Sequence, residues 1–414
     1  MSAATIIPHL FRTEYRKIVA VLCYHFGFEH IEIAEDIVSD TFLAATESWG
    51  FNGLPENPNA WLYTVAKNKA KNHLKRSLLF TQKLAPEIRY QAHDTEPSEI
   101  DLSPKNIEDS QLAMIFAVCH PSISGESQVA LALNLLCGFG IQEIADAFLT
   151  DREVIYKRIS RAKEKLKEEK IHTGQPTRAE IHERLEPVLK TIYLLFSEGY
   201  YSSGSRTDAV YANIRKSLCA EAIRLNYFLI ENDLTNTPAT NALLALMSFH
   251  ASRLEARISE NGEAVLYGDQ DEALWNRELI EQGIYFLKKA AAGTTVTRYH
   301  LEAGIAYWHT IKEDSHEKWE NILDLYNQLL VLEYSPIAAL NRTFALAKAR
   351  SKATAIIEAE KLSLTSSHFY YSLLGNLYTG VDNCKAKMHY EKALEIAISP
   401  ADKATIQRNI DAFV

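Results

Sequence analysis

The chain has 414 residues and a formal net charge of −9, with 47% hydrophobic and 23% charged residues. That length allows two or three domains. The acidic balance excludes a protein that coats nucleic acid nonspecifically, but not one that contacts it through local basic clusters. No apolar stretch approaches the ~20 residues that span a bilayer, and the N-terminus lacks a basic-then-apolar signal layout, so a cytoplasmic protein is expected with no membrane partner. The five cysteines are scattered without a CxxC pair, which argues against a disulfide framework or a structural zinc site and for small buried side chains.

The apolar spacing predicts helices nearly throughout, an all-α protein. Ile7–His25 and Ile31–Ser48 read as amphipathic helices. A turn-rich loop, Gly50–Asn59, carries two glycines and two prolines. It leads into a helix over Trp61–Arg76 (WLYTVAKNKAKNHLKR), with Asn59 as its expected N-cap. This helix interleaves Trp61 and Tyr63 with lysines and Asn68, Asn72 and His73. Aromatic rings stack on unpaired bases, lysines neutralise phosphates, and asparagine reads base edges. An acidic, proline-containing tract, Pro86–Asp109, separates this unit from a second helical unit over Ser110–Lys170.

The second unit ends in the most informative stretch. GIQEIADAF at Gly140–Phe148, a short break, and then Arg152–Lys170 give two short helices joined by a tight turn. The second helix has Val154, Ile155, Ile159, Ala162 and Leu166 on one face and basic residues elsewhere. That pattern fits a helix-turn-helix whose basic helix enters a DNA groove. It equally fits an amphipathic surface helix with solvated charges.

After a break at Gly174–Thr177, Arg178–Val414 reads as stacked helical hairpins. The clearest pair is Ser367–Thr379 and Ala386–Ile398, followed by Ser399–Pro400, a tetratricopeptide-type layout in which Ala386, Ala393 and Tyr390 allow close packing. Trp319–Leu332, Pro336–Arg350 and Ala353–Leu362 continue it upstream, without a strict period. An irregular helical bundle is the alternative.

Catalytic and cofactor signatures do not appear: no Walker loop, GxGxxG, HExxH or GxSxG, and the histidines do not pair at metal-ligand spacing. The expectation is a protein that is not an enzyme and has no cofactor. His120 and His300 read as structural. Asp269–Gln270–Asp271 ahead of Trp275 is a dense polar cluster that suits either a small-ligand or metal site or, more commonly, a helix cap near Asp271.

Taken in order, these motifs resemble the sigma-70 family, specifically the extracytoplasmic-function RNA polymerase sigma factors. AEDIVSDTF at Ala34–Phe42 is similar to the region 2 helix that docks on the polymerase clamp. NPNAWLYTVAKNKAKNHLKR at Asn57–Arg76 is similar to the part of region 2 that melts and reads the −10 element. Gln128–Lys167 is similar to region 4, which reads the −35 element. YLLFSEGY at Tyr193–Tyr200, LLALMSFHASRLEAR at Leu243–Arg257, DQDEALWN at Asp269–Asn276 and LNRTFALA at Leu340–Ala347 resemble the long tetratricopeptide-like extension of one subgroup, and CHP at Cys119–Pro121 recurs ahead of region 4 there. At Glu272–Ala273 the subgroup pattern has a basic or small polar residue, which this chain lacks.

The resemblance implies sigma region 2 over residues 1–80, an acidic linker over 81–109 that threads the polymerase's product-RNA channel, sigma region 4 over 110–172 and a regulatory helical domain over 178–414. It implies a polymerase contact through Glu35, Asp36, Asp40 and Phe42. It places Asn57, Trp61, Lys67, Asn68 and Lys71 on the melted −10 strand. Arg152, Glu153, Tyr156 and Lys157 would lie in the −35 major groove, with Arg158 and Arg161 on phosphate or bracing the fold. The implied partners are bacterial core RNA polymerase, promoter DNA and a protein partner of the C-terminal domain. The competing class is a helix-turn-helix regulator with a helical sensor domain, which needs no polymerase-docking helix.

Overall fold

The computed structural model describes residues 3–84, 100–148, 150–171, 174–201, 209–257, 265 and 267–413. These residues form eighteen α-helices and short 3-10 turns, with no strand among them. They divide into two compact units, Met1–Leu194 and Leu195–Val414.

In the first unit, α1 (Ala3–Phe26), α2 (Ile31–Asn52) and α3 (Pro58–Leu84) pack on one another. Ile18–Cys23 of α1, Ala34, Val38 and Ala45 of α2, and Leu62, Ala66 and Ala70 of α3 are buried. The last three recur every four residues, so α3 buries one stripe and leaves the others for polar side chains. α2 extends past its expected end because Trp49 is buried against Trp61, with ring centroids 5.3 Å apart, which holds the final turn. Gly53 ends it at φ +79°, a conformation that favours glycine. α3 begins earlier than expected, and its cap is Asn57 rather than Asn59: the Asn57 side-chain oxygen accepts the Ala60 N–H at 3.0 Å, with Pro58 in the first helical position.

Residues 85–99, most of the expected acidic linker, lie outside the described residues. The chain is helical again well before Asp109. Ser103 caps α4 (Pro104–Val118), in which Leu112–Val118 are all buried. A helix apolar on every side belongs at a centre, and α4 packs on α1 and on α5 (Gly125–Leu135). α6 (Ile141–Ala147) and α7 (Arg152–Glu168) follow, α7 packing on α5 and α6.

α8 (Arg178–Tyr201) crosses the boundary between the units, which falls at Leu194 and not at the Gly174–Thr177 break. Its first turns belong to the first unit. The Arg184 guanidinium donates to the Phe116 carbonyl and lies over the Phe116 ring, and the Thr191 hydroxyl donates to Gln128 Oε1 at 2.8 Å.

In the second unit, α9 (Ala209–Glu231), α11 (Arg277–Ala290) and α12 (Arg298–Trp308) surround α10 (Pro238–Ala251), whose residues Thr240–Phe249 are buried throughout. Six more helices then follow, each packed on the next: α13 (His316–Leu332), α14 (Pro336–Ala349), α15 (Lys352–Leu362), α16 (His368–Tyr378), α17 (Asn383–Ile396) and α18 (Pro400–Asp411). Ala386, Ala393 and Tyr390 of α17 are buried as expected. The pair α16–α17 packs tightly at Gly375, where an added Cβ would sit 2.8 Å from the Tyr390 ring. Four cysteines are buried and none is in a disulfide; the fifth, Cys384, is exposed, contrary to the expectation of a buried side chain.

Candidate nucleic-acid and polymerase interface

The expected −10 residues lie on α3 or just before it but not in one environment. Asn68 is exposed on α3, while Lys67 and Lys71 are half-buried. Trp61 is half-buried against Trp49, so only part of its ring faces water. Asn57 is exposed, and its side-chain oxygen is engaged as the helix cap. Beside them, Tyr63 donates to the buried Glu14 carboxylate at 2.5 Å, and Glu14 pairs with Lys17 at 2.9 Å. Burial and that carboxylate push the Tyr63 hydroxyl up. Tyr63 is therefore held in place as a strut of the bundle rather than as a free stacking ring.

On α2, Asp36 and Asp40 are exposed, and Asp40 lies 3.7 Å from Lys69. Phe42 is not a surface residue. It is buried against Phe11 and Tyr15, at centroid distances of 5.1 and 6.4 Å, so its role is to fix α1 on α2. Tyr15 is pushed up by burial and then by the neighbouring Glu35 charge.

α7 divides along its length. Its first two turns present Arg152, Glu153, Tyr156 and Lys157 to water, with Glu153 and Lys157 paired at 2.8 Å. Val154, expected on the buried face, is exposed as well; the apolar seam starts at Ile155 and continues through Ile159, Ala162 and Leu166. Arg158 pairs with Glu126 of α5 at 2.9 Å and braces the unit, while Arg161 is exposed. Exposed early turns on a buried seam are what a groove-reading helix requires.

The later half of α7 reaches α2. Lys163 Nζ donates to both Glu35 carboxylate oxygens at 2.8 Å, with the two side chains only 13% and 21% exposed. One turn on, Lys167 pairs with Glu32. Against burial, which raises it, the Lys167 ammonium holds the Glu32 carboxyl below the usual range. The acid expected to face a polymerase is thus occupied by the chain's own basic helix. Sequence reading missed this pairing because 128 residues separate the partners.

The polar cluster at Asp269–Asp271 resolves as a cap. Asp271 accepts the Ala273 N–H at 2.9 Å and starts a 3-10 turn at Glu272, and Asp269 is exposed. His120 bonds Ser122, and His300 closes a capping box with Thr297.

Residues 10–78 match sigma-70 region 2, which makes the α1–α3 bundle a sigma-70 region 2 domain, and residues 184–291 match a family of unknown function, DUF6596. Over 139 residues the chain is 31% identical to the RNA polymerase sigma-H factor of Pseudomonas aeruginosa, covering 32% of this chain and 69% of that one. Over 389 residues it is 31% identical to the uncharacterized protein R00370 of Rhizobium meliloti, covering 93% of this chain and 90% of that one. The chain belongs to one family with R00370 and, through region 2, to the sigma-70 family. No solved structure matches it. No helix of the described residues is long and apolar enough to cross a membrane.

Proposed function

We propose that the protein is an RNA polymerase sigma factor of the extracytoplasmic-function type, acting in the cytoplasm as a specificity subunit and not as an enzyme. The match of residues 10–78 to sigma-70 region 2 carries this reading. In it, the exposed acids of α2 meet core polymerase, and α3 offers Asn68 and its lysines to the melted −10 strand. The α6–α7 pair acts as region 4, with Arg152, Glu153, Tyr156 and Lys157 in the −35 groove. The helices from α9 onward form a tetratricopeptide-like domain that regulates the sigma in cis or through a protein partner.

The Lys163–Glu35 and Lys167–Glu32 pairs give this reading a closed resting form. Polymerase binding would require α7 to release α2, freeing the acids and allowing the two DNA-reading helices to separate. The test is co-elution of the purified full-length protein with bacterial core polymerase in gel filtration. A stoichiometric complex displaced by another sigma factor is the expected result. Absence of a complex for both the wild type and a Lys163→Ala, Lys167→Ala double variant contradicts the proposal.

A further inference from the structure

The second unit holds a cluster of cations, two of them buried, for which neither the sigma reading nor the helical scaffold gives a use. Arg253, just past the end of α10, is 6% exposed. Its guanidinium carbon lies 5.5 Å from the Tyr267 ring centre and 5.9 Å from that of Trp275. Lys312 Nζ approaches the same two rings at 5.8 and 6.0 Å, and Lys318, fully buried, approaches Tyr267 at 4.9 Å. Three positive charges thus converge on two aromatic faces.

Among the described residues, no ion pair joins Arg253, Lys312 or Lys318 to an acid. Asp314, whose charge acts on Lys318, is 60% exposed and engaged by Lys348 at 2.8 Å and by the Trp319 indole N–H. The histidines beside Arg253 add no further positive charge: burial, then the Arg253 charge, pushes His250 well down and His309 to about 3, so both are neutral. Burial, opposed by Asp314 and reinforced by Arg253 and Lys312, brings Lys318 down to about 8.

Hydrogen bonds are also missing on the donor side. Arg253 Nε and Trp275 Nε1 are buried with no partner. Lys312 donates to the Gln270 carbonyl at 2.6 Å and the Tyr267 carbonyl at 3.4 Å; Lys318 donates to the Tyr267 hydroxyl at 2.8 Å and the Ile311 carbonyl. An ammonium has three donors, so each lysine retains one. Cation–ring packing accounts for the ring contacts, but it leaves these donors unmatched, and buried unmatched donors and charges are costly.

We infer that Arg253, Lys312 and Lys318, walled by Tyr267 and Trp275, form a binding site for the phosphate group of a small ligand. A dianion balances three cations better than a single carboxylate does. Its oxygens accept from Arg253 Nε, Trp275 Nε1 and the spare ammonium donors, and charge-assisted bonds of this kind are the strong ones. The half-buried Lys312 sits at the solvent side, and the rings offer apolar faces to the rest of the ligand.

The test uses the full-length protein without polymerase, so it stands or falls independently of the sigma reading. Binding of inorganic phosphate and of phenyl phosphate is measured by titration calorimetry, with sodium chloride at matched ionic strength as control. Saturable binding of either probe is expected, weakened about tenfold or more in Lys312→Met and in Arg253→Met. Tighter binding of phenyl phosphate assigns the rings to an organic phosphate; equal binding assigns the site to the inorganic anion. Lys312 is half-buried, so its variant keeps the test valid if Arg253→Met does not fold. No saturable binding at millimolar probe, or binding of wild-type strength in Lys312→Met, overturns the inference.

Discussion

Replacing Lys163 by Met separates two consequences that ordinarily move together. Its ammonium contacts both oxygens of Glu35 at 2.8 Å, and the two side chains are 13% and 21% exposed. Direct attraction at that distance amounts to several kcal/mol at an effective dielectric near 20. Desolvation of both ions offsets most of it. The measured coupling for pairs in such a setting is about 1–2 kcal/mol. The substitution should therefore lower the unfolding free energy in urea by about that amount, because Glu35 is left largely buried without its cation. If the closed form must open before Glu35 meets polymerase, the same loss appears as a gain in polymerase affinity. About 1–2 kcal/mol corresponds to roughly 5- to 30-fold in Kd. Urea unfolding and fluorescence-anisotropy binding to core polymerase on one preparation give both numbers. Lys157→Met, which breaks only the exposed pair with Glu153, is the control and should change neither. If affinity and stability fall together in the Lys163 variant, the α7–α2 contact does not compete with polymerase and the closed-form reading is refuted.

Other outcomes follow from the same geometry. Gly375→Ala forces a Cβ to 2.8 Å from the Tyr390 ring between α16 and α17, and overpacking of this kind should cost about 1–3 kcal/mol in urea unfolding. Acid should destabilise the second unit before carboxylates titrate. His309, pushed down to about 3 by burial and by Arg253 and Lys318, stays neutral in the fold while the unfolded chain takes a proton near pH 6.5. Its contribution is thus complete above about pH 6.5 and is lost as pH falls toward 3, about 2 kcal/mol by pH 5; a His309→Phe variant should show a shallower pH slope in urea midpoints. Arg152→Ala, at an exposed position, should weaken binding to a −35 duplex about tenfold without moving the thermal midpoint. An N-terminal fragment ending at Thr177 should be less stable than one ending at Tyr201, because only the longer one keeps Arg184 on Phe116 and Thr191 on Gln128; equal midpoints would mean α8 contributes nothing to the first unit.

Much of the fold was legible because helical periodicity is a local signal. The buried stripe Leu62–Ala66–Ala70 and the small residues of α17 follow directly from spacing. Failures came where neighbours distant in sequence decide. Phe42 reads as a docking residue until Phe11 and Tyr15 are seen to enclose it. Val154 fits the apolar stripe of α7, but it is 43% exposed and the buried seam begins one residue later, at Ile155. Asn57 and Asn59 are equally good caps on paper; Pro58, suited to the first helical position, selects Asn57. The Gly174–Thr177 break resembles a domain boundary, yet Arg184 and Thr191 bind the following helix to the unit before it. The cation cluster was invisible because Arg253 lies far along the chain from Lys312 and Lys318.

The central claim is that this chain directs polymerase to promoters. Its most direct test is transcription in vitro, with purified protein, bacterial core polymerase and fragmented DNA of the source genome, followed by sequencing of transcript 5′ ends. New starts that share two upstream elements, absent with core alone and strengthened by Lys163→Met, are the predicted result. No new starts with either the wild type or the Lys163→Met, Lys167→Met variant would contradict the account.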